Sequence, residues 1–141
     1  MVIETTKVGI VNNALTYLYN CKSKSQFTYG CILGLGSNFK YDLRKEFTTT
    51  VMSRSGERGA DPNVLLNYFD AEKQAWGTFI QEQQVLKFED FTDPEQPPLV
   101  LTPAIQKDMA VLKPLLDRNE NFVLCGPEGC GKNLIITNLI K

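Results

Sequence analysis

The sequence predicts a mixed α/β fold that is mostly helical. Three observations predict it. Apolar residues recur at helical spacing through the first third of the chain, as in Val8, Val11, Leu15 and Leu18. Two short runs rich in β-branched and aromatic residues, Val64 to Phe69 and Trp76 to Ile80, follow a break that carries Gly56, Gly59 and Pro62. Near the end, an apolar run (Phe122 to Cys125), a glycine-rich loop (Gly126 to Lys132) and a helix-compatible run (Asn133 to Ile140) follow one another directly.

The first helix is expected from about Thr5 to Asn20, with Val8, Val11, Leu15 and Leu18 forming one apolar stripe. Ser23 or Ser25 can cap a second helix that runs to about Leu35 and carries Phe27, Cys31, Ile32 and Leu35. Gly34 and Gly36 are expected to break it. A third helix is expected from about Asn38 to Arg54, with Leu43, Phe47 and Val51 spaced four apart. Together these read as a small helical bundle in which Arg44, Arg54 and Arg58 are solvated or structural rather than catalytic. The two β-type runs, joined by the polar stretch Asp70 to Gln74, read as a hairpin with Trp76 as its packing anchor. Glu82 to Pro98 is acidic and turn-rich and reads as a connector. Beyond it, Leu99 to Leu101 can be extended. Thr102 suits an N-cap and Pro103 the first helical position. The helix that follows carries Ile105, Met109, Leu112 and Leu116, and Pro114 is expected to kink or end it.

Composition narrows the function. Over 141 residues the hydrophobic share is 43% and the charged share 22%, which suits a folded chain and argues against disorder. A net charge of −1 without any run of Lys or Arg argues against nucleic acid as a partner. No apolar stretch approaches the length of a membrane span, and the N-terminus lacks the apolar core of a signal peptide. Cys21, Cys31, Cys125 and Cys130 form no C-x-x-C pair and the chain has no His, so neither a zinc site nor Ser–His or Cys–His catalysis is expected. Free thiols in a reducing compartment are the simpler reading.

The chemistry therefore rests on Gly126 to Lys132, which fits G-x-x-x-x-G-K. Gly126, Gly129 and Gly131 are expected to adopt backbone angles closed to other residues, so that successive N–H groups converge on an anion. The following helix adds the positive end of its dipole, and Lys132 would reach the terminal phosphates of a nucleotide. Pro127, Glu128 and Cys130 complete the loop. Glu128 brings a negative charge near the phosphates. Asn133 stands where Ser or Thr ordinarily supplies a magnesium-binding hydroxyl. Phosphate binding is compatible with that change, whereas magnesium-dependent hydrolysis is not expected. The bland alternative is a glycine-rich turn opening a helix, with a solvated lysine. Since the sequence ends nine residues after Lys132 (141 − 132), it reads as a piece of something larger. A stand-alone nucleotide kinase or GTPase is disfavoured: its acidic magnesium ligand would lie on a later strand.

The order extended segment, helix, strand, phosphate loop, helix resembles the beginning of AAA+ ATPase modules. Within them, L-V-L-T-P-A-I-Q, L-K-P-L-L-D and F-V-L-C-G-P-E-G-C-G-K look like the start of a module of the dynein heavy chains. The loop, with no hydroxyl residue after its lysine, is most similar to the third module of the cytoplasmic dynein of intraflagellar transport. Upstream, S-Q-F-T-Y-G-C-I-L-G-L-G and L-R-K-E-F-T are similar to the helical lid closing the second module. D-P-N-V-L-L-N-Y-F-D with Trp76 is similar to the insert joining the two.

The resemblance implies a lid over 1–56, a hairpin insert and linker over 57–98, and the N-terminal part of the next module over 99–141. It implies that Gly126 to Lys132, with Asn133, take the phosphates of ATP or ADP, and that Val100, Leu101 and Thr102 lie on the adenine side. It also implies that the parent protein is an ATP-hydrolysing microtubule motor of the cytoplasm, cytoskeleton and cilium or flagellum. Its partners would be the remaining AAA+ modules of the same chain, microtubules and other dynein subunits, with no nucleic acid and no membrane insertion. The isolated segment is expected to be inactive and only marginally stable, because two partial modules bury their apolar faces poorly. The competing reading is a structural or interaction module whose degenerate loop binds no nucleotide.

Overall fold

A computed structural model describes residues 3–80, 87–92 and 98–140, and these divide into two compact units that meet between Thr78 and Phe79. The connector expected over Glu82 to Pro98 lies largely outside the described residues. Phe88–Phe91 within it forms a short 3-10 turn.

The first unit contains three helices and a hairpin. α1 (Lys7–Leu18) is capped by Thr6, whose hydroxyl accepts the Gly9 N–H. α2 (Lys24–Gly36) opens on a capping box: Ser23 Oγ accepts the Gln26 N–H at 3.2 Å while Gln26 Oε1 accepts the Ser23 N–H at 3.2 Å. Ser23 rather than Ser25 is thus the cap. α3 (Tyr41–Ser55) begins later than the expected Asn38. It ends on Gly56, which takes a left-handed φ of 68° and returns its N–H to Met52 and Ser53.

The helices pack differently from the apolar stripes. Val8, Val11 and Leu15 of α1 face solvent, and the residue α1 buries is Ala14. The reason is α2. Gly30 and Gly34, one helical turn apart, present backbone with no side chain. A Cβ at Gly34 would lie 2.4 Å from Ala14 Cα, and one at Gly30 would lie 2.8 Å from the Tyr17 carbonyl oxygen. Helix approaches helix through these small residues, and the Asn13 amide locks the contact by donating to Gly34 O (2.9 Å) and Ser37 Oγ (3.0 Å). Gly34 therefore does not break α2, which continues to Gly36. In α3 the buried face is Thr48 and Met52, one position round from the expected Phe47 and Val51, and Leu43 is exposed. Arg44 is structural: one guanidinium nitrogen donates to Ser37 O (2.6 Å) and Phe39 O (3.0 Å), satisfying carbonyls just beyond the end of α2.

The hairpin is shorter than its sequence runs suggest. Val64–Leu66 forms one 3-10 turn, so β1 is Asn67–Asp70 and pairs antiparallel with β2 (Ala75–Thr78), Phe69 opposite Trp76. Buried Asn67 organises the turn before β1, accepting the Asp61 N–H (2.7 Å) and donating to Asp61 O (2.9 Å). Asp70 closes the hairpin loop. Its carboxylate accepts the backbone N–H groups of Glu72 and Lys73, and these bonds, that from Lys73 foremost, hold its carboxyl below the usual range.

Trp76 is the anchor the sequence suggested. Its ring meets Tyr29 (5.9 Å) and Phe69 (5.5 Å) edge-on, and its indole N–H donates to Glu57 Oε2 at 2.8 Å. The other Glu57 oxygen accepts from Ser25 Oγ at 2.9 Å, so one carboxylate ties α2 and the end of α3 to the hairpin.

Burial, with smaller contributions from neighbouring Tyr17 and Tyr68, pushes the Tyr29 phenol well above its ordinary value. The folded state thus holds the Tyr29 proton more tightly than the unfolded chain. Its contribution is fully present below the unfolded tyrosine pKa of about 10 and is lost as pH rises above it. We expect the melting temperature of this unit to fall above about pH 10, less steeply in Tyr29→Phe. Near-ultraviolet tyrosinate absorbance checks this: one tyrosine should ionise only with unfolding. Ordinary titration of Tyr29 in the folded protein would contradict it.

The second unit contains α4 (Pro103–Asp117) and α5 (Lys132–Ile140), which pack on each other with Leu112, Leu115 and Ile135 buried. Thr102 caps α4, accepting the Ile105 N–H at 3.3 Å, and Pro103 follows as its first residue. Pro114 does not end α4, which continues to Asp117. The Pro114 carbonyl accepts from the Arg118 guanidinium at 2.9 Å. Leu112 and Leu115 are the buried positions, while Ile105, Met109 and Leu116 are only half-buried.

Among the described residues, the hairpin is the one β-ladder. The strand expected at Phe122 to Cys125 therefore does not form here, and Leu99 to Leu101 is not part of that ladder. Strands are completed by hydrogen bonds to neighbours. No helix among the described residues is long and apolar enough to cross a membrane.

Candidate functional site

Gly126 to Lys132 leads straight into α5, whose first helical bond runs from the Ile135 N–H to Gly131 O at 3.0 Å. The preceding N–H groups of the first turn, those of Lys132, Asn133 and Leu134, have no partner within the helix and mark an anion-attracting end. α5 begins at Lys132, one residue earlier than expected. Two of the three glycines adopt the angles the sequence required: φ is 76° at Gly129 and 84° at Gly131, with open space where a Cβ would stand. Their need for glycine is conformational. Gly126 differs. Its φ is not positive, and a Cβ there would stand 2.8 Å from Sγ of the exposed Cys130, so it lies close to the loop's own side chain without needing an unusual φ.

The Lys132 ammonium is folded into this loop. Nζ donates to Gly126 O (2.8 Å) and Pro127 O (2.7 Å) and stands 3.6 Å from Cys130 Sγ. An ammonium has three protons, and these three contacts use them. A phosphate oxygen entering the loop would replace neutral carbonyls with a charged acceptor, the stronger partner for an ammonium. Glu128 is exposed, as are Pro127, Cys130 and Asn133. Asn133 has an amide where a hydroxyl would serve a metal ion. Among the described residues no cluster of three His, Cys, Asp or Glu can hold a metal. Backbone N–H groups and an ammonium are donors suited to anionic oxygens.

The predicted base-side residues precede α4. Val100 is exposed, and Leu101 and Thr102 are half-buried. The Thr102 N–H donates to Val100 O at 2.8 Å, and the Thr102 hydroxyl is engaged in capping α4. Sequence reasoning missed Gln106, whose amide donates to Leu101 O (3.0 Å) and Ile80 O (2.7 Å). No local pattern could have found it, because one acceptor lies 26 residues away. Of the four cysteines, Cys125 and Cys130 are exposed at the loop, whereas Cys21 and Cys31 are half-buried and burial raises their thiol pKa.

The chain is similar to known proteins over nearly its whole length. Residues 1–55 match the family model of the cytoplasmic dynein 2 heavy chain 1 AAA+ ATPase domain. Cytoplasmic dynein 2 heavy chain 1 of Rattus norvegicus is 34% identical over 139 residues, 96% of this chain. The Homo sapiens protein of that name is 33% identical over 139 residues, 96% of this chain, and that of Chlamydomonas reinhardtii 30% over 147 residues, 99% of this chain. The chain spans about 3% of the length of each of these relatives. Over nearly its whole length, the chain is thus similar to one short segment of these dynein heavy chains.

Proposed function

We propose that the segment is a nucleotide-binding part of a dynein heavy chain, with Gly126 to Lys132 taking the phosphates of ATP or ADP and Asn133 making the site regulatory rather than hydrolytic. The observation that carries this reading is the loop itself. Gly129 and Gly131 sit at left-handed angles, Lys132 turns inward, and a helix N-terminus follows. Val100, Leu101 and Thr102 form the base side. Residues 1–56 serve as the lid of the preceding AAA+ module, 57–98 as the joining insert and linker, and 99–141 as the opening of the next module. The parent protein is a microtubule motor of the cytoplasm and cytoskeleton, working in intraflagellar transport in the cilium or flagellum. Its partners are the other AAA+ modules, microtubules and further dynein subunits. In the intact ring this site tunes the motor by its nucleotide state.

A titration with ATP and ADP, with and without magnesium, tests the proposal in a heavy chain that carries the segment. We expect binding whose affinity changes little with magnesium. Asn133→Thr should restore magnesium dependence, tightening ATP binding in its presence by about tenfold, the equivalent of one good charge-assisted contact. Absence of binding at this loop by either nucleotide would favour the second reading, a rigid joint with a degenerate loop, which the exposed Glu128 carboxylate and Asn133 motivate.

A further inference from the structure

The Gln106 carboxamide joins two segments that lie far apart in sequence. Its Nε2 donates to Ile80 O at 2.7 Å and to Leu101 O at 3.0 Å, so both protons of the amide nitrogen are used. The segment it holds, Val100 to Thr102, belongs to no ladder among the described residues. Backbone outside a ladder is fixed only by what its polar groups find nearby. Here the Thr102 N–H turns back to Val100 O, the Thr102 hydroxyl caps α4, and Gln106 takes the Leu101 carbonyl. Without Gln106, the tie from Leu101 O to Ile80 O is gone.

We propose that Gln106 is a positioning residue that sets Val100 to Thr102 for the base end of a purine nucleotide. This rests on the nucleotide-site reading above, from which it takes the base-side role of the segment. Gln106 itself need not touch the nucleotide. A backbone segment recognises the edge of a base through fixed N–H and C=O directions, and the Leu101 carbonyl is the group whose direction Gln106 fixes. The phosphate end is independent of it, because the Lys132 contacts all lie within Gly126 to Lys132.

The test compares ATP with inorganic tripolyphosphate, which carries phosphates and no base, by calorimetric titration of a heavy chain bearing this segment. The wild type should bind ATP more tightly than tripolyphosphate. Gln106→Leu, which keeps bulk and loses both donors, should weaken ATP about tenfold, on the scale of one or two lost hydrogen bonds. It should leave tripolyphosphate unchanged. Gln106→Lys, which restores donors on a longer stem, should recover much of the loss. Unchanged ATP affinity in Gln106→Leu would overturn the proposal, and so would parallel loss of both ligands, which would mark a merely structural role. A wild type that binds both ligands equally would remove the base-side role of the segment. A wild type that binds neither would remove the nucleotide site itself, and the proposal with it.

Discussion

Gly34→Ala is expected to destabilise the helical unit by about 1–3 kcal/mol, the range for forcing atoms into a packed interface. The new Cβ would lie 2.4 Å from Ala14 Cα, 3.1 Å from Asn13 O and 3.2 Å from Ala14 N. All three are backbone atoms, so no rotamer change relieves the clash and α1 must move off α2. Alanine also gains about 1 kcal/mol over glycine within a helix, which opposes the loss. The clash should win, because separation of the helices also strains the Asn13 bonds to Gly34 and Ser37. Urea denaturation of the segment would show the midpoint falling in Gly34→Ala and cooperative folding lost in Gly34→Leu. A midpoint that rises in Gly34→Ala would mean that helix propensity decides and that α1 and α2 are not in close contact.

The largest functional effect is expected from Lys132→Ala. Nucleotide binding should weaken by about 2–3 kcal/mol, roughly 30- to 150-fold, the scale of a hydrogen bond to a charged group. Stability should change by less than about 0.5 kcal/mol, as for a surface substitution, because the Lys132 contacts are confined to an exposed loop. The two measurements must be made on the same protein. Lost binding with an unchanged melting curve supports the proposed role. Binding that survives would assign Lys132 to the solvated surface, and lost binding accompanied by unfolding would give it a structural role instead.

Features set by neighbouring residues were legible in the sequence. Ser23 with Gln26, Thr102 with Pro103, and the glycine loop before α5 each declare their conformation within a few positions, because a cap or a tight turn is local chemistry. Features set across the fold were not legible. The stripe of Val8, Val11 and Leu15 pointed to the wrong face of α1, because the contact is made through glycines that a local reading treats as helix breakers. The β1 run was overestimated because Val64–Leu66 winds into a turn. The apolar run Phe122 to Cys125 has the composition of a strand, but a strand takes form only from partners it can bond. At the candidate site, the loop could be read down to the roles of Gly129 and Gly131, whereas Gly126 does not take the unusual φ expected of it. Gln106 was invisible, since its part depends on Ile80 returning beside the start of α4.

Hydrogen exchange of the backbone amides, measured in a heavy chain bearing the segment before and after ADP is added, addresses the nucleotide site most directly. The method reports each N–H that a phosphate would engage. Slowed exchange across Gly126 to Asn133, with a smaller effect at Val100 to Thr102, is the predicted result. Unchanged exchange in both stretches while ADP is bound elsewhere in the ring would contradict the proposal and leave the loop as a joint between modules.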